Sequence, residues 1–299
     1  MREKLEYWLV LAVARALGRL PRRLARLFAG LLAWSVYLVH GRLRRVGHRN
    51  LELALPELSG EERSRILRGL FRNLGWHLVE ACRMSRYTRE NINGWIRHEG
   101  LENYLAAKAR GKGVLIATGH LGAWEISGFF HSLMGYTMSV VVRPLDNRRL
   151  DKFVNDNRSK HGNRMLPKDD FARGLLTAMR KGETVAILMD TNMTPPQGVF
   201  VDFFGIQACT ASGLARVALK TGAAVLPAFM LWEKAEQRYV LHFGPELTFT
   251  HTGNAEADIL AATQVCTSAI ESWIRRYPDQ YLWIHRRWKT RPAGEPGLY

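Results

Sequence analysis

The first ninety residues of the chain carry hydrophobic residues at the spacing of helices. A capping-box pattern, Ser59 to Glu62, predicts that a helix begins directly after Ser59. Pro21 and the Gly41-Arg42 pair would interrupt the helices that precede it. The apolar residues that recur at helical intervals after the capping box are Ile66, Leu67, Leu70, Phe71, Leu74, Leu78 and Val79.

Beyond this segment, short apolar runs alternate with helix-like stretches. The runs are 114–118, 137–142, 184–189, 224–231 and 238–243. The helix-like stretches are 102–110, 122–134, 148–161, 171–181 and 211–221. This alternation predicts an α/β fold with a central, mostly parallel sheet flanked by helices. We therefore predict two domains, a helical membrane-associating region over residues 1–90 and an α/β domain over residues 91–299.

Polar side chains follow three of the apolar runs. His120, Arg143 and Asp190 each come directly or almost directly after a predicted strand. In parallel sheets, ligands bind beyond the carboxyl ends of the strands. We therefore expect a functional site where these three residues meet.

The positive charge of the chain is concentrated near its beginning. The formal net charge is +16, and residues 1–50 hold eleven Lys or Arg but only two acids, Glu3 and Glu6. The same segment is rich in Leu and Trp, which favours an anionic membrane surface over a nucleic-acid arm. Its longest uncharged run, Leu27 to Gly41, falls short of the ~20 residues of a membrane span. We expect helices at the membrane interface, with their arginines among lipid phosphates and with no nucleic-acid partner.

His120 and Glu125 form the candidate catalytic pair. A loop-to-helix turn can bring the Glu125 carboxylate to one nitrogen of the imidazole, which leaves the other nitrogen as a base. Such a base takes a proton from a hydroxyl, and the oxygen then attacks an acyl carbonyl. The alternative is a structural histidine beside a surface carboxylate. No G-x-S-x-G, Walker A, GxGxxG, HExxH or CxxC pattern is present, so we predict no covalent nucleophile, cofactor or metal.

Five motifs in order resemble the lipid A biosynthesis (lauroyl/myristoyl) acyltransferase family, which is similar to the glycerolipid acyltransferases. The motifs are the His120–Glu125 HxxxxE pair, the Arg143, Asn147 and Arg158 run, and the segments 49–57, 198–205 and 280–292. This chain departs from the family pattern at Thr191 after Asp190, where Gln is common, and at Asp202, where Pro is common. The two departures bear on the acceptor rather than on the type of reaction.

The resemblance implies transfer of a fatty acyl group from an acyl-carrier-protein thioester, or another acyl thioester, to a hydroxyl of a lipid A precursor or related glycolipid. It places this reaction at the cytoplasmic face of the inner membrane. His120 would be the general base and Glu125 would orient it. Arg143, Asn147, Arg158 and Asp190 would bind substrate. The close alternative is a glycerolipid or mannosylated lipid as acceptor, and the distant one, from charge alone, is a nucleic-acid-binding protein.

Three further features stay open at this stage. Phe200, Phe203 and Phe204 would line an acyl-chain groove or form packed core. The basic run 285–289 would grip phosphates or an acidic carrier, or would form a bare surface patch. Thr210 and Ser212 would cap the helix that begins near residue 211.

Overall fold

The computed structural model describes residues 2–142, 144–167 and 171–299. Its helices are α1 (Arg2–Arg19), α2 (Arg22–Val39), α3 (Gly41–Ala54), α4 (Gly60–Arg83), α5 (Arg89–Ile92), α6 (Leu101–Ala109), α7 (Trp124–Leu133), α8 (Arg148–Ser159), α9 (Phe171–Arg180), α10 (Gly213–Thr221) and α11 (Ala255–Arg276). Its strands are β1 (Ile96–Glu99), β2 (Val114–Thr118), β3 (Ser139–Val142), β4 (Arg164–Pro167), β5 (Thr184–Leu188), β6 (Gly198–Phe203), β7 (Ile206–Ala211), β8 (Ala224–Glu233) and β9 (Arg238–Phe243).

The predicted α/β class is confirmed. Seven strands form one sheet in the order β1-β9-β8-β2-β5-β3-β4. All neighbours pair in parallel except β8 and β9, which are antiparallel. The helical prediction for the first ninety residues is also confirmed, and the capping box opens α4 as expected, with the Ser59 hydroxyl accepting from the Glu62 N–H. The sequence analysis did not predict β1, β4, α11 or the β6–β7 hairpin.

The central strands are buried on both faces, which explains their unbroken apolar runs. In β2, Leu115 and Ala117 contribute to one core cluster, while Val114 and Ile116 contribute to the other. The first cluster also contains Phe71 of α4, so the N-terminal helices share a core with the sheet. The division into two domains stays a prediction.

Helix α2 directs two of its three arginines, Arg22 and Arg26, inward and its large apolar residues outward. Arg22 and Arg26 both bind the buried Glu80 of α4, at 3.0 and 2.9 Å. The expectation that the arginines lie among lipid phosphates is therefore wrong for Arg22 and Arg26, because both side chains face Glu80 and are largely buried. The large hydrophobic residues that α1 and α2 leave exposed are Leu5, Trp8, Leu9, Val10, Val13, Leu24, Leu27, Phe28, Leu31, Leu32, Trp34, Val36, Leu38 and Val39.

Within the described residues, no single helix is both long and apolar enough to cross a membrane. Helices α2 and α3 taken together are long and apolar enough to cross a membrane, by length and composition alone, although they meet at a bend of 86°.

Candidate active site

His120 and Asp190 meet at the carboxyl edge of the sheet. β2 and β5 pair in parallel, with Thr118 opposite Leu188, so the chain leaves both strands at the same edge. Each polar residue follows its strand by two positions. The predicted convergence is confirmed for these two residues, whereas Arg143, the third, lies outside the described residues.

The Asp190 carboxylate makes two contacts with His120. One oxygen lies 2.9 Å from the imidazole Nδ1, and the other accepts the backbone N–H of His120 at 2.7 Å. Because a carboxylate can only accept, this pairing places the ring proton on Nδ1 and leaves Nε2 as the basic nitrogen. The His120 side chain is 20% exposed and that of Asp190 is 2% exposed.

This arrangement corrects two predictions. The carboxylate that orients His120 is Asp190, not Glu125, because the parallel pairing of β2 and β5 sets Asp190 directly against the ring. Asp190 was predicted to bind substrate, but its side chain is buried and both of its oxygens are engaged by His120. The Asp190 carboxylate therefore contacts His120, and its burial does not support the predicted contact with substrate.

Electrostatics favour the charged forms of both partners. Burial is the largest influence on the pKa of His120 and lowers it, but the charge and hydrogen bond of Asp190, with the charge of Glu125, outweigh burial and raise the pKa. Burial likewise raises the pKa of Asp190, and His120 together with Arg287 outweighs it, so that pKa is lowered. His120 is thus a stronger base than a free imidazole.

Glu125 forms a bidentate pair with Arg158 of α8. The Arg158 Nε donates to one carboxylate oxygen at 2.5 Å, and a terminal nitrogen donates to the other at 2.9 Å. Both side chains are 25% exposed. The pair joins the first turn of α7 to α8, and Glu125 acts on His120 only through its charge. Substrate binding by Arg158 stays a prediction.

The Asn147 side chain makes contacts between helices rather than contacts in the candidate site. Its side-chain oxygen caps α8 by accepting the N–H groups of Arg149 and Leu150, at 3.1 and 3.4 Å. Its amide donates to the backbone oxygen of Glu3 in α1 at 2.9 Å. These contacts use the side chain for helix packing, so the substrate-binding role predicted for Asn147 is not supported by its position.

The sequence analysis missed His77, which lies beside the candidate pair. Its Nε2 accepts the backbone N–H of Glu125 at 3.2 Å and so satisfies one free donor at the start of α7. Burial lowers the pKa of His77 to about 4, so the ring is neutral at pH 7. Its ring also contacts the edge of Trp124, which in turn contacts His120. In the sequence, the contact of His77 with α7 is indicated by nothing more than a histidine at a buried position of α4.

The backbone between His120 and α7 requires glycine at one position. Gly122 has φ +68°, and a Cβ there would lie 2.0 Å from the backbone oxygen of Met230. Its N–H donates to the Gln280 oxygen at 2.9 Å, and the N–H of Leu282 donates to the His120 oxygen at 3.0 Å. The loop that carries His120 is therefore fixed by the C-terminal segment.

The basic run 285–289 does not form one surface patch. Arg287 is buried and donates to the Cys209 oxygen at 2.9 Å and to the Thr210 hydroxyl. Trp288 is also fully buried. His285 accepts the N–H of Asn192 at 3.0 Å, two residues after Asp190. The run mainly supports the floor of the site: His285 and Arg286 are half-buried, and Lys289 is exposed.

Two smaller predictions are resolved as well. Phe203 and Phe204 belong to the core cluster, which decides against the acyl-groove role for them. Ser212 precedes α10 but makes no capping hydrogen bond with its side chain, and Thr210 donates to the Ala208 oxygen. The capping prediction for these two residues is wrong.

A groove opens beside the Glu125–Arg158 pair. Its volume is about 940 Å³, within the range of ~300–1,000 Å³ typical of small-molecule sites. Charged residues at its edge include Arg15, Arg19 and Arg86. Its apolar lining, from α1, α4, α8 and the adjoining loops, consists of Val10, Leu11, Ala14, Leu78, Ala81, Met84, Leu145, Phe153 and Val154. We call this cavity the apolar groove.

Comparison with known proteins gives consistent matches along the chain. The family model "Bacterial lipid A biosynthesis acyltransferase" matches residues 1–290. The lipid A biosynthesis palmitoleoyltransferase of Escherichia coli K12 is 31% identical over 259 residues, which cover 86% of this chain and 82% of the relative. The lauroyltransferase of the same strain is 30% identical over 294 residues (98% and 94%). The lipid A biosynthesis myristoyltransferase of that strain is 25% identical over 295 residues, which cover 96% of this chain and 88% of the relative.

Proposed function

Because the chain belongs to the bacterial lipid A biosynthesis acyltransferase family, and is thereby an O-acyltransferase, we propose its donor, acceptor, base and location. The donor is an acyl thioester on acyl carrier protein, and the acceptor is a hydroxyl of a lipid A precursor or closely related glycolipid. The reaction takes place at the cytoplasmic face of the inner membrane, with His120 as general base.

One observation carries this proposal: the Asp190 carboxylate on Nδ1 of His120 leaves Nε2 as a base with a raised pKa. Nε2 takes the proton of the acceptor hydroxyl as its oxygen attacks the thioester carbonyl. The tetrahedral intermediate then collapses, the carbon–sulfur bond breaks, and the imidazolium returns the proton to the departing thiolate. Asp190 stabilises the imidazolium between the two steps, and the products are an ester and a free thiol.

The apolar groove is the place for the acyl chain in this proposal. Glu125 and Arg158 stand at its wall, and Glu125 lies five residues after the base. Apart from three further arginines, the remaining lining is mainly apolar, which suits a fatty acyl chain through burial of apolar area. The thioester carbonyl would then lie between the groove and His120.

The exposed apolar surface of α1 and α2 supports a membrane location. Ordinary surface helices bury their apolar face, but α2 presents Leu27 and Leu31 outward, at 56% and 57% exposure, while Arg22 and Arg26 face α4. Contiguous apolar surface of this kind marks protein or membrane contacts. Contact with a bilayer removes this surface from water and brings the enzyme to its lipid acceptor.

The test compares His120→Ala with His251→Ala, a change at an exposed histidine outside the site. Each protein is supplied with acyl carrier protein thioester and a lipid A precursor in mixed micelles, and the product ester is measured by mass spectrometry. We expect His120→Ala to lose at least ~10²-fold in kcat while remaining folded, and His251→Ala to behave as the wild type. Wild-type rates in folded His120→Ala would refute the mechanism. Acylation of a glycerolipid or a mannosylated lipid, but not the lipid A precursor, would refute the acceptor.

A further inference from the structure

Four arginines line a second cavity, away from the apolar groove. Arg42, Arg45 and Arg49 come from α3, and Arg286 comes from the C-terminal segment. The cavity has a volume of about 460 Å³, and no acidic residue is among its described lining. Its remaining walls are Val46, Leu298 and Tyr299. We call this cavity the arginine pocket.

Two of the pocket arginines, Arg49 and Arg286, are held in place but poorly neutralised. The Arg49 Nε donates to the Leu298 oxygen at 2.9 Å, and its nearest carboxylate, Glu52, is 3.6 Å away at the exposed edge. The Arg286 guanidinium lies over the Tyr299 ring at 5.7 Å, and its Nε is buried without a hydrogen-bond partner in the described part of the chain. Clustered cations with unused donors are a site for an anion, which relieves their repulsion and fills the donors.

The arginine pocket adjoins the exposed apolar surface. Arg42 follows Val39, the last residue of α2, by three positions, and Val39 is 86% exposed. Helix α3 then turns away from α2 by 86°. A membrane that accepts the apolar residues of α2 would therefore bring its phosphate layer to the first two turns of α3, where Arg42 and Arg45 lie.

The wall of the arginine pocket is also tied to the catalytic loop. Asn50, next to Arg49, donates to the backbone oxygens of Trp283 and His285, the latter at 2.6 Å. The neighbouring Leu282 donates its N–H to the His120 backbone oxygen. A ligand anchored in the pocket is thus held against the same segment that positions the base.

We propose that the arginine pocket binds a phosphate monoester on the lipid acceptor. This proposal rests on the proposed function, since it adds to it the group by which the acceptor is held. A phosphate monoester carries more charge than a diester and fits the forked donors of several arginines. The pocket is concave and small, which suits a phosphate with its adjoining sugar, whereas the acidic face of a carrier protein requires a flatter cationic surface.

The test replaces two pocket arginines and two arginines elsewhere. Arg42→Gln with Arg45→Gln removes two charges from the pocket. Arg65→Gln with Arg68→Gln removes the same charge from exposed positions on α4, outside the pocket. Binding is measured to phosphatidylcholine vesicles that contain either phosphatidic acid, a monoester, or phosphatidylglycerol, a diester, at matched surface potential. We expect a wild-type preference for phosphatidic acid that falls roughly 30-fold in the pocket variant and is kept in the control.

Several outcomes would overturn this assignment. If the pocket variant keeps the preference for phosphatidic acid, the arginine pocket is not the binding site. If the wild type shows no such preference, a phosphate monoester is not the ligand. Equal affinity for inorganic phosphate in solution would point to a free-phosphate site instead. With the acyl-transfer assay, we expect the pocket variant to raise the KM for the acceptor, while a rise only in the KM for the carrier protein would assign the pocket to the donor. If wild-type protein transfers no acyl group, the proposed function fails, while the vesicle preference is still decided independently.

Discussion

Replacing Asp190 with asparagine distinguishes the contribution of Asp190 to the basicity of His120 from that of Glu125, the other carboxylate nearby. An asparagine offers one oxygen and one NH2 group where Asp190 offers two acceptors. The backbone N–H of His120 is a fixed donor, so it selects the asparagine oxygen. The NH2 group then faces the imidazole Nδ1 and forces the ring proton onto Nε2, the nitrogen that must act as the base.

The expected loss can be worked from the structure. At 2.9 Å, with an effective dielectric constant of about 20, the attraction between an imidazolium and the Asp190 carboxylate is about 6 kcal/mol before the cost of burying both groups is subtracted. Together with the wrong tautomer, this loss predicts a fall in kcat of about 10²- to 10⁴-fold for Asp190→Asn.

The pH profile gives the sharper test. The base is active when neutral, so activity falls as the pH drops through the pKa of His120, which the structure places above its ordinary value. Asp190→Asn removes the charge and the hydrogen bond that contribute most to raising the pKa of His120, while burial, which lowers that pKa, remains. The acid limb of the kcat/KM profile should therefore move to lower pH. Glu125→Gln removes a smaller contribution and should move the limb less, even if broken pairing with Arg158 lowers the rate. A larger shift in Glu125→Gln than in Asp190→Asn would refute the assignment of Asp190.

Three further predictions concern the supports of the site. His77→Ala leaves a buried N–H at the start of α7 unpaired and opens a cavity, so urea denaturation should show a free energy of unfolding lower by about 2–4 kcal/mol; an unchanged value would contradict the contact. Gly122→Ala combines positive φ with a backbone clash and should lose about 2–6 kcal/mol by the same measurement. Leu27→Glu with Leu31→Glu should abolish vesicle flotation at an unchanged thermal midpoint, whereas Leu260→Glu, at a 45% exposed leucine of α11, should not.

Much of the fold is determined locally and could therefore be predicted. The predicted runs 114–118 and 238–243 coincide with β2 and β9. In β2 only the terminal Thr118 is polar, because a strand buried on both faces has no solvent-facing positions for polar residues. The start of α4 follows from its capping box, whose two hydrogen bonds lie within four residues. The strands β1 and β4 were not predicted because Arg97, His98 and Glu99 make β1 mostly polar, while Arg164 and Pro167 leave only two apolar residues between them in β4.

The sequence by itself also determined that His120 and Asp190 lie at one edge of a parallel sheet. Which carboxylate contacts the imidazole was decided only by the tertiary structure, because it depends on the pairing of β2 with β5, seventy residues apart in the chain. Glu125 is nearer along the chain, but the α7 helix turns its side chain toward Arg158. His77 and the arginine pocket depend in the same way on contacts between distant segments, which no local spacing records.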